Sequence, residues 1–137
     1  MDTGSPRPSS GRGALTQRLP RSSRIQRSTE IRWLLRRGKR KRTANLDVFF
    51  STSPFSHPRL GLIVPKHRHR IVDRNRLKRR LREIARTEVL PFLREAGRNL
   101  DVLFRARREA YGVGYATLRA EVKGLAEALC SEKFYSE

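Results

Sequence analysis

Residues 59–83 read RLGLIVPKHRHRIVDRNRLKRRLRE, and two periodicities meet inside them. RLGLIVP, residues 59–65, is a nearly unbroken apolar run behind an arginine, which predicts a strand buried on both faces. At Asp73 the period changes. Asp is a good helix N-cap, and the spacing predicts a helix from Arg74 to about Leu90. Stepping 100° per residue from Leu77 puts Leu81, Ile84 and Ala85 on one coherent face. Asn75, Arg79, Arg82 and Arg86 fall opposite, with Arg76 and Lys78 flanking them.

That outer ridge is unusual in its charge. Six of the nine residues from Arg74 to Arg82 are cationic, and no acid stands between Asp73 and Glu83. A solvated helix face ordinarily mixes signs to gain i,i+4 pairs. Here the cations repel one another unless an outside anion relieves them, and the planar guanidinium suits bidentate phosphate contacts.

The whole chain agrees. It has 137 residues and a formal charge of +19, from 32 Lys and Arg against 13 acids. Residues 1–82 hold 23 of the cations and four of the acids (Asp2, Glu30, Asp47, Asp73), and residues 83–137 hold nine of each. One half carries the entire excess, as a polyanion-facing surface on an ordinary scaffold does. Hydrophobic residues at 36% still allow one domain with a modest core. No apolar run reaches the roughly 18 residues of a membrane span, and the polar N-terminus lacks the apolar segment of a secretory signal. Cys130, the single cysteine, has no partner for an internal disulfide, which suits a reducing cytoplasm. It lies in an apolar helical pattern and reads as core.

Residues 1–18, rich in Gly, Pro, Ser and Arg, read as a disordered basic tail, leaving 19–137 as a single polyanion-binding domain. Ser28 is placed to cap a helix to about Arg37, with Ile31, Leu34 and Leu35 on one face and Trp33 on the far one. RRGKRKR, residues 36–42, reads as a loop or helix end. Residues 45–53 read as a half-buried strand with Leu46, Val48 and Phe50 inward. Phe49 adds an apolar side chain to the other face. A turn spans Pro54 to Pro58, and a short further strand is placed near 66–72. Pro91 ends or kinks the basic helix, and residues 99–105 form another strand. Leu118, Val122, Leu125, Ala126 and Leu129 give the last helix, Ala116 to Cys130, its core stripe. The order α-β-β-(β)-α-β-α is that of an α+β protein, a two-layer α/β sandwich with a small mixed sheet.

Catalytic chemistry has little to stand on. The four acids of the basic half are dispersed, whereas two-metal phosphate cleavage needs clustered carboxylates. His67 and His69 are two apart, as on one strand face, with His57 elsewhere. A metal site needs more ligands than these, so a polar contact to the polyanion or plain exposure is the simpler role. No catalytic and no metal-binding residue is assigned. Composition leaves RNA and DNA both open, and a ribosomal-type RNA-binding protein, a protein-only nuclease and a DNA-compacting protein are the rival classes.

The block from Arg59 to Glu83 resembles the signature of the bacterial ribonuclease P protein subunit. In that signature a strand with Arg-x-Gly precedes a lysine-rich turn and an Arg-Asn-Arg-x-Lys-Arg helix ending Arg-Glu. Arg59, Gly61, Lys66, Arg74, Asn75, Arg76, Lys78, Arg79, Arg82 and Glu83 stand at matching positions. SRIQRSTEIRWLLRRG, LDVLFRAR and TLRAEVKGLAEAL are similar to the family's first helix, late strand and last helix, so the resemblance covers roughly residues 19–130. The chain departs from the pattern at Pro65-Lys66-His67, where Ser-Lys-Lys is usual, and at His69-Arg70, where Gly-Asn is. It also has Ile31 and Leu35 where phenylalanines are common.

The resemblance implies a fold like the second domain of ribosomal protein S5, with a left-handed βαβ crossover. It implies a non-catalytic subunit of a tRNA 5′-maturation endoribonuclease, whose RNA subunit carries the chemistry with Mg²⁺ held mainly by that RNA and the substrate. The expected partners are one RNA subunit and precursor tRNA, with no membrane and no obligate protein partner. Arg59, Lys66, Arg74, Asn75, Arg76, Lys78, Arg79 and Arg82 are the expected RNA-subunit contacts. Arg27, Ile31, Leu35 and Phe50 are expected to form a cleft for the 5′ leader, broadening the substrate range.

Overall fold

The computed structural model describes residues 19–131; the segment 1–18 expected as a tail lies outside them. A single 3-10 turn, Arg21–Ser23, leads into helix α1 (Ser28–Arg37) and strands β1 (Lys39–Arg42), β2 (Leu46–Thr52) and β3 (Arg59–Ile63). Helix α2 (Ile71–Ile84) runs through a π turn, Ala85–Val89, into α3 (Leu90–Glu95). Strand β4 (Leu100–Ala106), a 3-10 turn (Arg108–Gly112) and α4 (Tyr115–Ser131) complete the chain. The strands lie in the order β1-β2-β4-β3. The β1·β2 and β2·β4 pairs are antiparallel and β3·β4 is parallel, so the sheet is mixed.

Strand alternation divides the side chains between the two faces. Leu46, Val48, Phe50, Leu60, Val102 and Phe104 point to one side, where Leu77, Leu81 and Ile84 of α2 and Leu118, Val122 and Leu129 of α4 close the main core over them. Phe49 and Leu103 point to the other, where Ile25 and Leu34 form a smaller cluster with Ile31, Leu35 and Ile63 against its edge. The ridge of α2 and the outer surface of α1 therefore face away from each other across the sheet.

Several boundaries differ from the sequence expectation. Of the basic run 36–42, expected as a loop or helix end, Arg36 and Arg37 close α1 as a helix end, while Lys39–Arg42 form β1 instead. Four consecutive Lys and Arg make a strand by pairing antiparallel with β2 at the sheet edge, where their side chains stay largely solvated. Arg40 stands 5.5 Å over the Phe49 ring, and the Nε of Arg42 donates to Asp47 at 3.0 Å. No strand forms at 66–72. His67 and Arg68 both take positive φ, 46° and 67°, and this left-handed pair turns the chain from β3 into α2. The turn is clamped from outside: His69 stacks on Tyr111 with 3.8 Å between ring centroids, and the Tyr111 hydroxyl donates to the Pro65 carbonyl at 2.6 Å. Helix α2 starts at Ile71, with Arg70 rather than Asp73 at its N-cap. Asp73 lies in the first turn, where its charge suits the helix dipole. Likewise α1 is preceded by Arg27 as N-cap and Ser28 is its first residue.

The β1–β2 turn is tied to α4 by one carboxylate. Glu121 accepts from the Thr43 hydroxyl, from the Asn45 backbone N–H at 3.0 Å and from Asn45 Nδ2 at 2.6 Å. Gly61 marks a second close approach, since a Cβ there meets Leu103 Cδ1 at 2.9 Å and Ile25 Cβ at 3.3 Å. Gly61→Val is expected to cost about 1–3 kcal/mol by overpacking, read as a lower urea midpoint. An unchanged midpoint would show that Ile25 moves aside freely.

Candidate nucleic-acid interface

Two kinds of cation populate the surface, distinguished by what holds them. The first kind lies along α2. Leu77, Leu81, Ile84 and Ala85 are buried, which orients the helix and turns Asn75, Arg76 and Arg79 to solvent, with Lys78, Arg80 and Arg82 half-buried at their flanks. Lys66 is exposed in the preceding turn. Arg74 sits lower, its Nε donating to the Val64 carbonyl at 2.7 Å, so it fastens the helix start to the end of β3. Arg86, at the far end of the ridge, pairs with Glu83 at 2.7 Å. The structure thus gathers Lys66, Arg74, Asn75, Arg76, Lys78, Arg79 and Arg82 on one side of the molecule.

Arg59 is not among them. It lies on the opposite sheet face, 6% exposed, and its guanidinium is spent internally. Nε and Nη2 donate to the two Asp101 oxygens at 2.9 and 2.7 Å, and Nη1 and Nη2 reach Glu30 of α1 at 3.4 and 3.2 Å. The Asp101 hydrogen bonds, against the cost of burial, raise its pKa further above the ordinary arginine value. The expected RNA contact at Arg59 is corrected to an internal anchor.

The second kind surrounds Phe49. Asp47, itself buried, receives Arg42 at 3.0 Å, Arg105 at 3.3 Å and Arg40 at 3.5 Å. Burial pushes its carboxyl up, but the Arg42 and Arg105 hydrogen bonds and the Arg40 charge outweigh that and hold it below the ordinary carboxylate value. The Phe49 ring lies beneath Arg40 and Arg105, the latter at 5.0 Å from its centroid. Ile31 and Leu35, half-buried at the rim of α1, stand beside it. The result is a guanidinium-lined groove in which Phe49 itself is only 3% exposed, and the apolar surface open to solvent is that of the half-buried Ile31 and Leu35; the arginines suit phosphates.

Of the expected cleft residues, Ile31 and Leu35 line this groove and Arg27 is exposed at the start of α1. Phe50 does not. It is buried in the main core across the sheet, and Phe49 is the aromatic side chain that faces α1, itself buried. The alternation that put Leu46, Val48 and Phe50 inward already implied this. Asp47, Arg40, Arg42 and Arg105 were not selected from sequence, and only the paired strands bring them together.

His67 and His69 both pack on Tyr111 and belong to the turn clamp. His67 also lines a concavity of about 440 Å³ with Arg105, Arg107 and Arg108. Among the described residues no group of three or more His, Cys, Asp or Glu is placed to hold a metal ion, and no helix is long and apolar enough to cross a membrane. Cys130, expected as core, is half-buried against the edge of the main core, and burial raises its thiol pKa.

The Arg59–Asp101 pair has a measurable consequence. Asp101→Asn leaves a buried guanidinium short of charge and is expected to cost about 3–5 kcal/mol in urea unfolding. Arg59→Met combined with Asp101→Leu is expected to recover most of it. A loss below about 1 kcal/mol would mean that the pair is solvent-screened.

Comparison with known proteins matches residues 19–130 to the family described as Ribonuclease P. The ribonuclease P protein component of Acidothermus cellulolyticus is 34% identical over 119 residues, spanning 84% of this chain and 94% of that protein. The Micrococcus luteus protein component is 39% identical over 118 residues, spanning 77% and 86%. Among solved structures, the Staphylococcus aureus RNase P protein superimposes with a TM-score of 0.65 at 20% identity, covering 78% of this chain and 94% of that one.

Proposed function

Because the chain belongs to the ribonuclease P protein family, we propose that it works as the non-catalytic subunit of a cytoplasmic ribonuclease P. It binds one catalytic RNA subunit and the 5′ leader of precursor tRNA, and the RNA removes the leader. The observation that carries this reading is the α2 ridge. Its cations are held in order by the buried Leu77, Leu81 and Ile84, with no acid between Asp73 and Glu83. An ordered, unneutralised ridge matches the regular phosphates of a folded RNA better than those of a flexible strand. The Phe49 groove, on the other side of the sheet, offers guanidinium groups for phosphates and the half-buried Ile31 and Leu35 for base contact. The two surfaces thus divide the work, with the RNA subunit on α2 and the leader in the groove.

The physical contribution is electrostatic and geometric. Two RNAs repel through their backbones, and a +19 chain between them screens that repulsion. Holding both in one geometry favours metal binding by the RNAs themselves, and the Mg²⁺ ions of the reaction are assigned to the RNA subunit and substrate. Groove contacts to backbone and apolar surface add affinity for precursor over mature tRNA and tolerate varied leader sequences. A protein-only nuclease is less well supported, because Asp47, Asp101 and Glu30 are each committed to arginines and Glu121 to the β1–β2 turn.

Replacing Arg79 and Arg82 together by alanine tests the ridge. The circular dichroism spectrum should not change. Affinity for the RNA subunit should fall, and the slope of log K against log salt should become shallower by roughly 1.5–2. Wild-type affinity and slope in the double variant would remove the RNA subunit from the ridge.

A further inference from the structure

Trp33, the one tryptophan of the chain, is 51% exposed. It sits on a helix whose other large apolar side chains, Ile31, Leu34 and Leu35, pack toward the sheet. Leaving an indole in water forgoes the burial energy that a core position would give. Its surroundings on the outer face of α1 are cationic. With Thr29, Arg32, Arg36 and Arg37 it lines a shallow concavity of about 400 Å³. Among the described residues no ion pair engages those three arginines, and the acid of the same helix, Glu30, is taken by Arg59.

The other side of the indole opens on a second recess, of about 300 Å³, where Ser51, Thr52, Pro54 and Glu30 contribute to the lining. Phe55, 50% exposed, stands close by, its ring 4.6 Å from the Arg59 guanidinium. An indole between unpaired guanidinium groups and a recess bearing hydroxyl and carboxylate groups matches one occupant best. Single-stranded RNA offers an unstacked base for the ring and phosphates for the arginines. Duplex RNA has no free base face to offer, and an acidic peptide satisfies the charges while leaving the indole without a planar partner.

The fold also distinguishes which RNA. Helix α1 and the Phe49 groove share one sheet face, and the α2 ridge lies on the other. We propose that Trp33, with Arg32, Arg36 and Arg37, is a second seat for the precursor's single-stranded 5′ leader, holding nucleotides beyond those in the groove. A base stacks on the indole and the adjoining phosphates lie on the arginines. The inference rests on the reading of the chain as a ribonuclease P subunit, and the experiment separates the two.

The holoenzyme is reconstituted from full-length protein and RNA subunit, and precursor tRNAs are compared with leaders of about 4 and about 16 nucleotides. Emission from the single tryptophan reports the seat directly. The long leader should quench it and the short one should not. Trp33→Ala should bind the long-leader precursor about tenfold more weakly or worse, leave the short-leader precursor unaffected, and be largely rescued by Trp33→Phe. Unquenched emission with unchanged long-leader affinity in Trp33→Ala, while cleavage stays normal, would overturn the seat and leave the subunit reading intact. Quenching by the RNA subunit alone, or equal losses with both leaders, would overturn the leader as occupant. Failure of the wild-type protein to stimulate cleavage at all would overturn both.

Discussion

The buried Arg59–Asp101 pair holds the two faces of this molecule in register. It bridges β3 and β4, the parallel pair of the sheet, through two short hydrogen bonds at 2.9 and 2.7 Å. A parallel pair cannot be closed by a hairpin, so the chain between the two strands must cross one face, and α2 and α3 lie in that connection. On the other face the same guanidinium reaches Glu30 and seats α1. One side chain thus fixes the strand pair behind the cationic ridge and the helix beside the Phe49 groove. Isolated buried ion pairs often add little stability. Here the value of the pair lies in joining elements distant in sequence.

A chain with 32 cations and 13 acids has few negative charges to place, and their placement decides which cations remain available. Asp47 draws Arg40, Arg42 and Arg105 around Phe49. Glu83 takes Arg86 and Glu88 takes Arg119. The carboxylates thus build the groove walls and trim the ends of the ridge. Arg76 and Arg79 of α2, and Arg32, Arg36 and Arg37 of α1, are left without an ion pair among the described residues.

Local sequence made much of this legible. The core faces of α2 and α4 follow from 3.6-residue periodicity, and Leu77, Leu81, Leu118 and Leu129 are buried where that pattern puts them. The ridge was legible for the same reason. What was missed depends on pairing between distant segments. Residues 39–42 have no apolar alternation, and they become a strand because β2 offers an edge with which their backbone pairs. Arg59 matches a basic signature but turns inward, because its partners are 42 and 29 residues away. Phe50 and Phe49 are both aromatic, and choosing between them requires knowing which face of β2 α1 covers. No glycine marks the left-handed backbone at His67 and Arg68, so the sequence there reads as a strand where the chain makes a turn.

We propose that this protein assists an RNA catalyst and does not cleave RNA itself. The most direct test is cleavage of precursor tRNA at low Mg²⁺ by the protein alone, by the RNA subunit alone, and by both. The account predicts cleavage at the mature 5′ end only when both are present. Cleavage by the protein alone would contradict it, and so would a mixture no faster than the RNA subunit by itself.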